Sequence, residues 1–135
     1  MGYLDAIGSA GSLTVEVRPE DSADAFGNEG LAVLATPALV GLFERAAMRA
    51  LDGLLESGER TVGSVVDVVH EAPTPVGAEL TVTATLDSVG GAQLWFVVRA
   101  HDAAGQIASG RHSRFVVNDE RFRGTAAKRI GAPDG

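Results

Sequence analysis

One capped amphipathic helix, in a chain whose other apolar stretches alternate with a period of two, predicts an α+β domain. The expected architecture is a curved antiparallel sheet of about five strands wrapped around one long central helix. The helical signal lies in 36–55, TPALVGLFERAAMRALDGLL, where Leu39, Leu42, Phe43, Ala46, Ala47, Ala50, Leu51 and Leu54 recur at three- and four-residue spacing. Thr36 reads as its N-cap, with the hydroxyl accepting from a first-turn N–H, and Pro37 suits the first helical position. No other stretch of this length has a helical period, so the helix must find its cover in strands.

The strands follow from alternation. Leu13, Val15 and Val17 alternate with Thr14, Glu16 and Arg18, and Pro19 ends that run. Residues 20–30, EDSADAFGNEG, form an acidic loop into the helix, which Gly53, Ser57 and Gly58 close. Four strand-like runs come next: 61–70, 76–89, 92–101 and 106–117. In the second, Leu80, Val82, Ala84 and Leu86 alternate with Thr81, Thr83 and Thr85; Gly90-Gly91 is a hairpin signal. The whole of 1–135 reads as one domain, with 1–11 and 119–135 expected to be loosely ordered. A single helix inside a wrapped sheet is the hot-dog architecture. Such domains pair through their sheets, so a homodimer is expected, with the β-former-rich third run (Leu94, Trp95, Phe96, Val97, Val98) as the joining edge.

Composition narrows the function. Aspartate and glutamate outnumber lysine and arginine by 18 to 11, for a formal charge of −7, which argues against a nucleic-acid partner. There is no cysteine, hence no thiolate nucleophile or ligand, and His70, His101 and His112 show no metal-ligand spacing, so no metal and no cofactor is expected. No apolar run is long enough to span a bilayer and no secretory pattern opens the chain; the expectation is a cytoplasmic protein with no membrane partner.

Polar residues on apolar elements are the informative ones. Glu44 borders the buried stripe of the helix, and alternation turns Ser64, Val66, Val68 and His70 toward it. Taken singly each has a bland explanation. Thr36 caps, Glu44 pairs with Arg45 or Arg49, and His70 is satisfied by a carbonyl. Taken together, a hydroxyl, a carboxylate and an imidazole on elements that pack against one another form a nucleophile–base constellation, beside a helix N-terminus suited to an oxyanion.

Here the sequence resembles the fluoroacetyl-CoA thioesterase type of hot-dog thioesterase over about residues 12–122. The matching stretches are ATPALVGLFERAAMRAL, TVGSVVDVVHEAPTPVGAELTVTATLDSV and ASGRHSRFVV followed by ERF. The resemblance implies a catalytic triad at Thr36, Glu44 and His70, a glycine beside the thioester carbonyl at Gly63, and a further site arginine at Arg114. It implies an acyl-CoA thioesterase with a coenzyme A thioester as substrate; the alternative is a non-catalytic acyl-CoA or small-ligand binding module of the same fold. The sequence leaves open whether Thr36 or water attacks. It departs from the family's best-known member, which carries a lid of phenylalanines in the segment just before the threonine. Gly27 and Gly30 occupy those places, and Phe26 is the one aromatic nearby that would touch substrate. Strict selectivity for the fluorinated acyl group is therefore not expected.

Overall fold

The computed structural model describes residues 2–131. The main elements in chain order are β1 (Ala10–Glu16), α1 (Thr36–Ala50), β2 (Glu59–His70), β3 (Glu79–Gly90), β4 (Gln93–Asp102), β5 (Gly105–Asn118) and α2 (Asp119–Lys128). The strands make one antiparallel sheet in the order β1-β3-β4-β5-β2. This is the expected hot-dog arrangement, with α1 packed chiefly across β1 and β3.

Apolar burial places the helix. Leu39, Phe43, Ala46, Ala47 and Ala50 of α1 are buried against Leu13, Leu80, Val82, Leu86, Leu94 and Phe96 of the sheet. Fully burying side chains such as Leu39 and Phe43 stabilises by about 1.5–3 kcal/mol each. The three alanines let the helix lie close to β1, and Gly11 is the matching point on the strand. A Cβ built there overlaps the Ala46 carbonyl oxygen and the Ala50 amide nitrogen.

Five expectations change. The helix stops at Ala50, so Leu51 stays buried in the following turn but Leu54 is 40 % exposed. Thr36 is the first helical residue instead of the cap; Ala35 holds the cap position and no side chain caps the end. The third run, β4, lies in the centre between β3 and β5, so it is no edge for pairing; the free edges belong to β1 and β2. Residues 119–128 form α2, capped by the Asn118 side chain accepting from the Arg121 amide at 2.9 Å, where a polar tail was expected. The N-terminal segment is also tied down. The Tyr3 hydroxyl donates to the Glu59 carboxylate at the start of β2, and burial, then that carboxylate, pushes the Tyr3 phenol up to about 12.

Replacing Gly11 with alanine is expected to push α1 off β1 and destabilise the fold by about 1–3 kcal/mol or more, the usual cost of overpacking. Urea unfolding of Gly11→Ala beside the wild type measures this; an unchanged midpoint contradicts the close approach.

Candidate active site

The N-terminus of α1 and the end of β2 meet because Leu34 and Thr74, in the segments flanking them, are joined by a backbone hydrogen bond of 2.8 Å. That contact brings the Thr36 hydroxyl to 2.8 Å from Nδ1 of His70. Nε2 of His70 is buried and meets no partner among the described residues. The hydroxyl that sequence reading assigns to a cap therefore addresses an imidazole. Beside it lies a cleft of about 350 Å³ lined by residues that include Phe26, Leu31, Val33, Thr36 and Pro37. Phe26 is 54 % exposed at the end of a short turn whose next residue, Gly27, has φ +97°; Gly30 has φ +85° and donates its amide to Asp24 Oδ1 at 2.8 Å. Both glycines occupy backbone conformations that L side chains rarely adopt.

Glu44 stands elsewhere. Its carboxylate lies over Gly63, with Oε1 2.6 Å from where a Gly63 Cβ would be, and His112 Cε1 and Arg114 Nη1 border the same point at 3.3 and 3.4 Å. The absent Gly63 side chain is thus the space that the carboxylate fills. Gly63 and His70 are seven residues apart on β2, about 23 Å at 3.3 Å per residue. Within one chain the Thr36–His70 pair and Glu44 belong to separate clusters.

The second cluster is highly ordered by its hydrogen bonds. Arg114 is 4 % exposed; its Nε donates to Thr61 Oγ1 at 2.8 Å, Nη2 to the Thr61 carbonyl at 2.9 Å, and Nη1 lies 3.2 Å from His112 Nε2. His112 is fully buried, with Nδ1 2.8 Å from the Val65 carbonyl. Val65 follows the one register shift of the β2–β5 ladder, between Gly63 and Val65, a bulge that aims its carbonyl at the imidazole. Burial lowers the Arg114 guanidinium from its ordinary value, and the Glu44 carboxylate opposes that shift. Burial foremost, and Arg114 next among the opposing charges, holds the His112 imidazole below the usual histidine range. His112 and Thr61 were not singled out as site residues in the sequence; the signal for His112 was its alternation with Arg114 on one face of β5. Arg111 lies on the other face, its guanidinium 4.4 Å over the Trp95 ring. Among the described residues no group of three His, Asp or Glu side chains is placed to hold a metal ion.

This fold is that of the hot-dog thioesterases, and a hydroxyl–imidazole pair stands at the mouth of its helix. The family model described as fluoroacetyl-CoA-specific thioesterase matches residues 17–120. A fluoroacetyl-CoA thioesterase of Streptantibioticus cattleyicolor is 43 % identical over 100 residues, covering 74 % of this chain and 72 % of that protein. The crystal structure of a phenylalanine-to-alanine mutant of the fluoroacetyl-CoA-specific thioesterase matches with a TM-score of 0.85 and 36 % identity, over 91 % of this chain and 96 % of the other. The same mutant in complex with fluoroacetate and CoA matches at TM-score 0.81 and 38 % identity, over 86 % and 98 %. A hot-dog-like protein from Thermanaerovibrio acidaminovorans shares the fold at TM-score 0.90 and 24 % identity, over 98 % and 100 %. The chain belongs to the fluoroacetyl-CoA-specific thioesterase family.

The depressed His112 value gives stability a pH dependence. The folded state resists protonating this imidazole, whereas the unfolded chain takes up the proton near pH 6.5. The stability is full above about pH 6.5 and is lost as pH falls through the folded value. Chemical unfolding across this range is expected to show a fall on the acid side that His112→Gln reduces.

Proposed function

We propose that this protein hydrolyses acyl-CoA thioesters at a site completed by two copies of the chain, with Thr36 as nucleophile, His70 as its base and Glu44 as the carboxylate that orients the imidazole. The carrying observation is the 2.8 Å contact between Thr36 Oγ1 and His70 Nδ1, with Nε2 buried and unpartnered. A buried imidazole nitrogen requires a hydrogen-bonding partner. A carboxylate accepting from Nε2–H leaves Nδ1 free to accept the Thr36 proton. Glu44 of the same chain is too far along β2 to be that carboxylate.

β2 is a free edge. Paired antiparallel with a second copy about an axis near Val66 and Asp67, it brings His70 of one chain level with Gly63 of the other, where Glu44 lies. Attack by Thr36 Oγ1 on the thioester carbon transfers the hydroxyl proton to His70. The oxyanion faces N–H groups of the first turn of α1, which have no intrahelical partners. Expulsion of the thiolate, protonated by His70, leaves an ester on Thr36, which water then cleaves with His70 as base again. The coenzyme A thioester is the substrate, and the residues do this chemistry without a resident cofactor.

The acyl preference follows from the loop before α1. Gly27 and Gly30 place no apolar side chain over the helix mouth, and their positive φ values disfavour one. Phe26 and Leu31 are left as the apolar wall of an open cleft. A well-formed hydrophobic pocket separates substrates by about 1–3 kcal/mol per methylene, and an open one by less.

Released thiol measured across a panel of acyl-CoAs is expected to show turnover with no strong preference for fluoroacetyl-CoA over acetyl-CoA. His70→Ala is expected to lose at least a hundredfold in kcat/KM, in the range of a removed acid–base catalyst. Full activity in His70→Ala overturns the assignment, and strong fluoroacetyl selectivity overturns the account of the loop.

The two-copy site has its own check. Light scattering at micromolar concentration is expected to give a dimer, and mixing inactive Glu44→Gln with inactive His70→Ala is expected to restore part of the activity, because one of the two sites in a mixed dimer is intact. An active monomer contradicts the composite site.

A further inference from the structure

We propose that His112 is a positioning residue of this site: its Nε2 accepts from Arg114 and so fixes the guanidinium at the point where the Glu44 carboxylate meets Gly63. The assignment rests on the thioesterase reading above for its catalytic consequence, but the clamp itself stands on geometry alone.

The hydrogen-bonding partners determine the tautomer. The Val65 carbonyl accepts only, so His112 Nδ1, 2.8 Å away, carries a proton and donates. Arg114 donates only, so His112 Nε2, 3.2 Å from Nη1, is unprotonated and accepts. The imidazole is therefore neutral and both its nitrogens are used. Arg114 is held at three atoms, Nε and Nη2 by Thr61 and Nη1 by His112. The Thr61 contacts fix one side of the guanidinium; the His112 contact fixes the side that faces Glu44. The stack of the imidazole on Phe96, with centroids 6.2 Å apart and planes 29° apart, keeps the ring from turning.

The charged groups facing this imidazole are Arg114 on β5 and Glu44 on α1; β2 contributes the Val65 carbonyl and β4 the Phe96 ring. A second proton on His112 removes the acceptor and sets two cations against each other. The Arg114 contact then opens and the guanidinium charge beside the Glu44 carboxylate shifts, so activity carries an acid limb set by His112.

Two polar variants separate this role from packing. His112→Gln carries a donor and an acceptor that reach both partners. His112→Asn keeps the donor to Val65 and falls short of Arg114. In the full-length protein labelled with 15N-arginine, the Arg114 Nη1 protons, which His112 holds, are expected to give a slowly exchanging signal in wild type and His112→Gln, and to exchange fast in His112→Asn. In the thiol-release assay, His112→Asn is expected to lose about tenfold to a hundredfold in kcat, the usual effect of slight misplacement, with KM little changed. His112→Gln is expected to recover most of kcat and to lose the His112 acid limb. A protected Arg114 signal in His112→Asn, or equal kcat in folded wild type and His112→Asn, overturns the proposal. If the wild type cleaves no acyl-CoA the thioesterase reading fails, and the exchange of the Arg114 signal still decides the clamp.

Discussion

The apolar stripe of α1 has to be buried, and the sheet can cover it only by curving around it. Leu39 and Phe43 fill the space between helix and sheet, while Ala46, Ala47 and Ala50 bring the backbone down onto Gly11 of β1. That close approach fixes the rotation of the helix about its own axis. With the rotation fixed, Thr36 faces the end of β2 and Glu44 faces its bulge. The polar residues are thus aimed by residues that take no part in the chemistry. The eight positions from Thr36 to Glu44 correspond to about 12 Å of helix rise, which is why the two side chains meet different stretches of β2.

A second constraint is the burial of charge. An arginine nine-tenths or more buried is costly unless its donors are satisfied. Arg114 is anchored by Thr61 and His112 and faces Glu44 without a direct ion pair among the described contacts. The bulge after Gly63 supplies the carbonyl that sets the tautomer of His112. A local irregularity of one strand thereby becomes part of the electrostatics of the site. Gly63 fits the same logic, because any side chain there competes with the Glu44 carboxylate for one position.

The loop before α1 shows how small residues change a site without altering its scaffold. Gly27 and Gly30 are in left-handed conformations, and the turn they close is held by the Asp24 carboxylate. Phenylalanine at either place requires a different path for the loop. The helix mouth keeps its hydroxyl and imidazole while its cover is reduced to Phe26 and Leu31.

Periodicity marked α1, the five strands and most of the side chains that face the core, because burial of one face imposes a 3.6- or two-residue repeat on the residues themselves; Leu54, counted in that repeat, lies beyond the end of the helix. Local chemistry reached the polar candidates, and resemblance to a family grouped Thr36, Glu44 and His70. The tertiary structure decided the rest. An alternating pattern states which face of a strand is buried but not which strand lies beside it, so the sequence did not reveal that β4 is central and β2 an edge. A threonine before a helix is an apt cap by its own chemistry; only the approach of His70 from 34 residues away makes it a partner instead. The polar tail reads as loose because α2 buries none of its residues, and it is held by a cap and its own backbone bonds. The separation of Glu44 from His70, and the clamp of His112 on Arg114, depend on distances across the sheet that no spacing along the chain encodes.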